Sequence, residues 1–214
     1  MIHILGVSGS PIKAGNTETF LQNALDFAVT LGDISTRMVS LAEKKIGDCK
    51  HCNWCVAKQE NGRPCSQRDD MEEIYPLVLE ADALLLATPV YIARLSGYMA
   101  CFMDRLRAFI HGNYYKGSLV DKVGGALGVG WYRHSGLETA LLSIVYGFLT
   151  YEMIPVGTGL GCPWGAPAVA SRGGAGVFDK NQRHGVLEDD YAQRSMEYLI
   201  QRMARVTKKI KGGQ

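Results

Sequence analysis

Residues 2–17 read IHILGVSGSPIKAGNT, an apolar run followed by a turn rich in glycine, serine and proline. The apolar run, residues 2–7, predicts a buried strand, and the turn predicts a loop. Residues 16–31 then place apolar side chains on one face of a helix, with Asn16 or Thr17 expected as its N-cap. A strand, a loop and a helix in this order form the first unit of an α/β fold.

The same alternation of strand and helix continues along the chain. Residues 82–88 read DALLLAT, which is apolar on both faces, as a central parallel strand requires. Further strands are predicted at residues 34–41, 122–129 and 152–157. Further helices are predicted from residue 69, with a bend or restart at Pro76, and at residues 96–110, 137–148 and about 188–209. This order predicts a flavodoxin-like α/β fold, a doubly wound five-stranded parallel sheet with strand order 2-1-3-4-5.

Length and periodicity predict one domain. The chain has 214 residues and no internal repeat, so we expect a single flavodoxin-like domain over residues 1–214. Two segments have neither helical nor strand periodicity, namely residues 46–68, which contain four cysteines, and residues 158–186. The second segment is longer than a compact domain normally leaves irregular. It is expected to be a lid or an arm that takes part in oligomerisation.

Composition excludes several classes of protein. The apolar fraction of 47% excludes wholesale disorder. The net charge of +2 gives no reason to expect a nucleic-acid or membrane partner, both of which favour concentrated basic patches. No apolar run approaches the roughly 18–20 residues that span a bilayer, and the N-terminus has no signal-peptide pattern. We therefore expect a cytoplasmic protein.

The loop after the first strand has the features of a phosphate site. In an open α/β sheet, ligands bind beyond the carboxyl ends of the strands where the strand order reverses, here between the first and third strands. Hydroxyls and small residues before a helix N-terminus offer hydrogen-bond donors to an anion. The loop lacks the motifs of nucleoside-triphosphate and dinucleotide sites, so it predicts either a monophosphate site or a simple turn. The candidate residues are Ser8, Ser10, Pro11, Ile12, Gly15, Asn16 and Thr17.

Two further loops at the same edge of the sheet can pack against a flat ring. The loop after the third strand contains Thr88, Pro89, Val90, Tyr91 and Ile92. Its aromatic and apolar side chains suit a ring system, or they only end the strand and cap the core. The loop after the fourth strand, with Gly130 and Trp131, suits the rim of such a site.

Four of the six cysteines fall in one short segment: Cys49, Cys52, Cys55 and Cys65. The spacing Cys-x-x-Cys-x-x-Cys brings three thiolates into one tight turn, which suits a [4Fe–4S] cluster that takes its fourth thiolate from further away. Zinc, which more often uses two separated cysteine pairs, and free thiols are the alternatives. We predict Cys65 as the fourth ligand, with His51 as a possible substitute.

The other cysteines and the nearby cations have lesser expected roles. Cys101 and Cys162 are predicted not to be ligands, because one lies off the main apolar stripe of its helix and the other in the irregular segment. Lys50 and Arg63 are expected to favour the reduced, more negative state of a bound cluster and so to raise its potential.

Together these motifs resemble those of the iron–sulfur flavoproteins, a branch of the NAD(P)H-dependent FMN reductase group. The resemblance covers about residues 1–150. It rests on Gly-Ser-Pro and Gly-Asn-Thr in the first loop, the cysteine triplet, Thr-Pro-Val-Tyr at residues 88–91, and Met-Asp-Arg-Leu-Arg at residues 103–107. It implies FMN in the loops named above, a homodimer or homotetramer, and no side chain acting as a general acid or base. The gap before Cys65 is longer than this family usually has.

The resemblance implies an oxidoreductase that passes electrons between a [4Fe–4S] cluster and FMN. NAD(P)H or a small redox protein such as ferredoxin is the expected electron donor. The main alternative is an NAD(P)H-dependent FMN or quinone reductase whose cysteines bind zinc or nothing. A pure electron carrier and a dinucleotide-sensing or structural protein are further alternatives.

Overall fold

The computed structural model describes residues 1–212, and its strands and helices alternate along the chain. The strands are β1 Ile2–Ser8, β2 Ile34–Ser40, β3 Ala83–Tyr91, β4 Arg94–Leu95, β5 Val123–Gly130, β6 Ile154–Pro155 and β7 Ala166–Val169. The helices are α1 Asn16–Thr30, α2 Trp54–Lys58, α3 Met71–Glu80, α4 Gly97–Arg105, α5 Arg107–Ile110, α6 Leu137–Thr150 and α7 Asp190–Gly212. The predicted domain extends to residue 214, and its last two residues lie outside the described part.

The sheet confirms the flavodoxin-like, doubly wound architecture and corrects its strand count. The main path is β2-β1-β3-β5-β6, with every pair parallel. This is the predicted order, because the short β4 shifts the numbering of the later strands. Within residues 1–212 the sheet has seven strands rather than five, since β4 pairs with β3 as an antiparallel hairpin and β7 pairs with β5.

The expectation that residues 158–186 lack regular structure is wrong in part. β6 pairs with the start of β5, at Val123 and Gly124, and β7 then pairs with its end. The segment also contains one short 3₁₀ helix, Arg172–Gly174, and the start of a second, Gly185–Glu188. β7 is only four residues long, too short to show a period-2 pattern, so its pairing could not be predicted. We refer to residues 158–186 as the arm.

The core lies on both faces of the sheet. One apolar cluster packs α3, α4 and α6 against one face, and the other packs α1 and α7 against the opposite face. β3 contributes to both clusters, with Leu84 and Leu86 on one side and Ala83, Leu85 and Ala87 on the other. This confirms the prediction of a central strand that is buried on both faces. Within residues 1–212, no helix has the length and apolar character needed to cross a bilayer.

Two local helix predictions are wrong, and the restart allowed at Pro76 does not occur. α3 continues through Pro76 without a restart; proline leaves one helical carbonyl, that of Glu72, without its donor, and Glu72 is exposed to water. The helix predicted over residues 96–110 divides at Leu106 into α4 and α5. The N-cap of α1 is Gly15, and neither Asn16 nor Thr17 provides a capping side chain.

Candidate functional site

A cavity of about 480 Å³ lies at the carboxyl ends of the strands, at the switch point between β1 and β3. Open α/β sheets bind their ligands at this position. The loops after β1, β3 and β5 and part of the arm form its walls. The residues that line it are Ser10, Ile12, Lys13, Ala14, Gly15, Asn16, Thr17, Pro89, Val90, Tyr91, Val129, Gly130, Trp131, Ala170 and Arg183.

The loop after β1, which lines this cavity, packs closely against the start of α4. Gly9 donates its N–H to Ala87 O at 2.8 Å, and its carbonyl accepts from Ser96 Oγ at 2.6 Å. A Cβ at position 9 would lie 2.7 Å from Cβ of Met99, so only glycine lets the loop approach α4. Ser96 is also the N-cap of α4, and its N–H donates to Thr88 Oγ1 at 3.0 Å. The loop after β1 is therefore fastened to the start of α4.

The structure brings most of the predicted ligand-binding residues to this cavity. Those that line it are Ser10, Ile12, Gly15, Asn16, Thr17, Pro89, Val90, Tyr91, Gly130 and Trp131. Their role as FMN-binding residues stays a prediction.

Four predicted residues do not line the cavity: Ser8, Pro11, Thr88 and Ile92. Ser8 is fully buried, and its Oγ accepts from Ser10 N at 3.3 Å. Thr88 is fully buried and bonds within its own turn. Ile92 is 94% exposed at the tip of the β3–β4 hairpin. The hydroxyls of Ser8 and Thr88 therefore make hydrogen bonds within the loops, and the predicted roles of these residues in binding FMN stay predictions.

The arm forms one wall of the cavity, which the sequence did not predict. Ala170 N donates to Gly130 O at 2.8 Å, Trp131 Nε1 donates to Gly176 O at 3.0 Å, and Ser171 Oγ donates to Trp131 O at 2.5 Å. These bonds join the arm to the loop after β5. The arm thus covers its own sheet and takes part in the candidate site.

The arm also brings a basic residue, Arg183, to the cavity beside the loop after β1, which we call the phosphate loop for its predicted ligand. Arg183 lines the cavity, and Lys13 is a second basic side chain in its wall. The side chain of Asn16 binds the arm rather than pointing freely into the cavity. Its Oδ1 accepts from Val186 N at 3.1 Å, and its Nδ2 donates to Arg183 O at 3.5 Å. A separation of more than 160 residues hides such contacts from local sequence patterns.

A second cavity of about 460 Å³ lies along β2, beside His3, Arg37 and Glu80. It is lined by the amino-terminal half of β1 and by the end of α3, away from the loops that follow the strands. Because ligands of open α/β sheets bind beyond the carboxyl ends, we take the first cavity as the candidate site.

The four clustered cysteines lie in one segment, whose backbone curls at the cysteine triplet. His51 and Asn53 have left-handed backbones, with φ of 48° and 56°, which curl the chain around the cysteine triplet. Cys55 lies in the short helix α2. Burial raises the pKa of the Cys55 thiol, the positive charge of Arg107 opposes this, and the three other thiols raise it further. The thiols of Cys49, Cys52 and Cys65 are therefore all within electrostatic reach of Cys55.

Each end of this cysteine group has a different environment. Cys52 is exposed, and its pKa is lowered by a hydrogen bond with Ser66, whose Oγ lies 3.4 Å from the sulfur. Cys65 packs against the core beside the hydroxyl of Tyr75, and burial raises the pKa of that tyrosine. The group thus runs from solvent to the edge of the core.

The donor chemistry of this group fits an iron–sulfur cluster. Four cysteine thiolates are the usual ligands of a [4Fe–4S] cluster, in which each iron binds one of them. Among residues 1–212, no three His, Cys, Asp or Glu side chains converge as a single metal ion requires. Arg105 Nε is buried without a hydrogen-bond partner, and the Cys65 thiol lies within its electrostatic reach. An acceptor sulfur bound beside Cys65 would suit this donor.

Gln59 fastens the cysteine loop to the segment after α5. It is buried, and its Nε2 donates to Pro64 O and Ala108 O, both at 2.8 Å. Its Oε1 accepts from the backbone N–H groups of Tyr114 at 3.1 Å and Tyr115 at 2.9 Å. One amide therefore satisfies four backbone groups that the cysteine loop and its neighbour would otherwise leave unpaired.

We expect Gln59→Leu to destabilise the protein, because each buried group left without a partner costs about 1–3 kcal/mol. Urea unfolding measures the change. Gln67→Leu is the matched control, since its Nε2 makes one exposed bond, to Asp48 O at 2.9 Å. If the two variants unfold at the same urea concentration, Gln59 does not hold the loop.

The remaining predicted residues near the cysteines fall outside the group. Lys50 and His51 are exposed. The Arg63 guanidinium lies over the Trp54 ring at 4.7 Å and does not contact a thiol. Cys101 is a free thiol in α4, and Cys162 is a free, buried thiol of the arm.

Comparison with known proteins gives the family. The model of the family described as NADPH-dependent FMN reductase matches residues 2–161. An iron–sulfur flavoprotein of Methanocaldococcus jannaschii is 35% identical over 98% of both chains. One of Archaeoglobus fulgidus is 32% identical over 98% of this chain and 99% of its own. The chain belongs to the iron–sulfur flavoproteins of the FMN reductase family.

Solved structures confirm the fold of this family member. A structure of RosB with bound 8-demethyl-8-formylriboflavin-5′-phosphate has a TM-score of 0.74 at 15% identity, covering 99% of this chain and 81% of RosB. A WrbA-like flavodoxin of Agrobacterium tumefaciens has a TM-score of 0.59 at 14% identity, covering 100% of both chains. At such identities the likeness concerns the fold alone. Family membership makes the chain a flavin oxidoreductase.

The structure also accounts for one motif of this iron–sulfur flavoprotein, Met-Asp-Arg-Leu-Arg at residues 103–107. Arg105 is buried, makes two hydrogen bonds to the Asp69 carboxylate, and donates to Gly47 O at 3.1 Å. Arg107 Nη1 lies 3.5 Å from Cys55 Sγ. Both arginines therefore bind the cysteine loop, a role that sequence reasoning missed.

Proposed function

We propose that the chain binds FMN in the switch-point cavity and a [4Fe–4S] cluster on Cys49, Cys52, Cys55 and Cys65, and that electrons pass between them. The observation that carries the proposal is the cavity itself, where a phosphate-type loop meets an aromatic rim in a flavin oxidoreductase. When bound, FMN supplies one- or two-electron chemistry and the cluster one-electron chemistry.

The cavity residues have distinct proposed roles. Ser10, Thr17 and the N-terminus of α1 would bind the phosphate, with Arg183 and Lys13 balancing its charge. Pro89, Val90, Tyr91 and Trp131 would pack against the ribityl chain and the ring. Burial raises the pKa of Tyr91, so its hydroxyl stays protonated at neutral pH. No side chain is assigned as a general acid or base.

The two proposed sites lie at opposite ends of α4. Ser96, just before α4, bonds to the phosphate loop, whereas Arg105, the last residue of α4, bonds to the cysteine loop. The nine residues of α4 span roughly 13 Å. From the family resemblance we propose a homodimer or homotetramer in which the cluster of one copy approaches the flavin of another. Exposed apolar side chains beside the cavity residues, Ile92 and Tyr132, suit such a contact.

The proposed electron donor is NAD(P)H or a small redox protein such as ferredoxin. Oxygen-free purification, followed by counts of iron, sulfide and flavin, tests the proposal. We expect four irons, four sulfides and one FMN per chain. Flavin without iron or sulfide would favour an FMN or quinone reductase with a zinc-bound or empty cysteine motif. Protein that neither contains nor takes up flavin would refute the FMN site.

Arg183→Met is expected to weaken FMN binding by about tenfold or more, because a charge-assisted hydrogen bond contributes about 1.5–3 kcal/mol. Riboflavin, which lacks the phosphate, should bind the variant and the wild type alike. Fluorescence titration of the apoprotein with each flavin measures both affinities. Lys180→Met is the control, since Lys180 is an exposed cation of the arm that does not line the cavity. Equal losses for FMN and riboflavin would show that Arg183 does not bind the phosphate.

A further inference from the structure

Arg107 is the cation that contacts the cysteine group most directly. It is the first residue of α5, and it reaches across 52 positions of the chain to Cys55. Its Nη1 lies 3.5 Å from Cys55 Sγ, and its Nη2 donates to Asn53 Oδ1 at 2.8 Å. One guanidinium thus binds two points of the same turn, a geometry that its planar donors suit.

The surrounding backbone keeps this contact in place. Asn53 has a left-handed φ of 56° and immediately precedes α2. Asn113 N donates to Cys55 O at 3.0 Å, which ties the turn to the segment after α5. The division of the helix at Leu106 starts α5 at Arg107, on the side of the cysteine loop. Arg107 and Cys55 therefore belong to two segments that are joined by backbone bonds.

The other basic side chains near the loop are occupied or distant. Arg105 is neutralised by Asp69, with Nη1 2.5 Å from Oδ2. Arg63 stacks on Trp54 and pairs with Glu60 at 3.6 Å. Lys50 is exposed. None of the ion pairs found within residues 1–212 involves Arg107, so no carboxylate there offsets its charge.

We propose that Arg107 sets the reduction potential of the bound cluster by hydrogen bonding to the Cys55 thiolate. This rests on the proposed [4Fe–4S] site. A cation that donates to a ligating sulfur stabilises the state with one more electron, so it raises the potential. Arg107 is a positioning and tuning residue, since it acts through Cys55. The structure assigns to Arg107 the effect that the sequence led us to expect of Lys50 and Arg63.

Redox titration of anaerobically purified holoprotein, with dithionite as reductant and EPR or visible absorption as readout, tests this inference. We expect Arg107→Gln to move the cluster potential to more negative values. The ratio of reduced to oxidised cluster at a fixed solution potential should fall at least tenfold, which is about 59 mV for a one-electron couple. Resonance Raman spectra should show a higher Fe–S(Cys) stretching frequency, because the thiolate loses its donor.

Two comparisons keep the result interpretable. Arg63→Gln removes a nearby charge that does not contact a thiol, and it should leave the potential close to that of the wild type. If Arg107→Gln does not retain iron, Arg107→Lys decides the question, because lysine keeps the charge but cannot bind Asn53 and Cys55 as a planar fork. A lower potential in that variant supports the inference.

The failure of this inference can be told apart from the failure of the proposed function. A wild type without iron after anaerobic purification refutes the cluster, and the inference with it. A loaded wild type and a loaded Arg107→Gln variant with the same potential refute the role of Arg107 alone. An unchanged potential in Arg107→Lys, where Arg107→Gln loses iron, refutes that role as well.

Discussion

Asp69→Ala is expected to lower the free energy of unfolding by about 3–5 kcal/mol, the usual cost of removing one partner from a buried ion pair. The side chain of Arg105 is 1% exposed and that of Asp69 is 14% exposed. Without the carboxylate, the guanidinium stays buried and uncompensated, and its bond to Gly47 O is the one hydrogen bond of its side chain that remains among residues 1–212. Urea unfolding followed by circular dichroism measures the loss.

The control for this prediction is an ion pair that is exposed to solvent. Arg68 and Glu72 lie 3.1 Å apart on the surface, so Glu72→Ala should change stability by less than about 1 kcal/mol. The double variant Asp69→Ala/Arg105→Met should be more stable than Asp69→Ala alone, because it removes the unpaired charge. A double variant no more stable than Asp69→Ala would show that the pair itself is not the cause.

The pH dependence of stability provides an independent check on the ion pair of Asp69 and Arg105. Burial by itself raises the pKa of Asp69, but the hydrogen bond and charge of Arg105 outweigh burial and leave the pKa below its ordinary value. The stabilisation is therefore complete above the unfolded pKa of about 3.9 and is lost as pH falls through the lower, folded pKa. The difference in stability between the wild type and Asp69→Ala should shrink below about pH 4.

Local patterns predicted the parts of the fold whose cause is local. The apolar run of β3 identifies a central strand. A strand buried on both faces is apolar at successive residues and does not alternate between apolar and polar side chains. The loops after β1 and β3 were expected to meet, because topology brings the carboxyl ends of adjacent parallel strands together. The cavity at the switch point follows from these two facts.

The features that the sequence did not predict depend on contacts between distant residues or on unusual turns. The β3–β4 hairpin turns at Ile92 and Ala93, with φ of 49° and 56°, where a tight hairpin normally has Asn-Gly. A β-branched residue there carries no turn signal. Arg183 reaches the cavity, and Arg107 reaches Cys55, only after the arm and the cysteine loop have packed. No local periodicity encodes such contacts.

Cys52→Ala is expected to abolish the cluster while leaving FMN bound at about one per chain. A [4Fe–4S] cluster takes four thiolates, so this substitution leaves one iron without its protein ligand. Cys52 is exposed, so its replacement removes little packing and tests ligation rather than folding. The flavin should remain because the phosphate loop bonds to the start of α4 and the cysteine loop to its end. Iron, sulfide and flavin counts after oxygen-free purification measure both outcomes.

Cys101→Ala is the matched control, because Cys101 is a free thiol in α4, outside the segment of the four clustered cysteines. It should keep four irons and one FMN per chain. A full iron content in Cys52→Ala would remove Cys52 from the ligand set. Loss of FMN together with iron in Cys52→Ala, but not in Cys101→Ala, would mean that the two sites depend on each other within one chain. That coupling would contradict the placement of the two sites at opposite ends of α4.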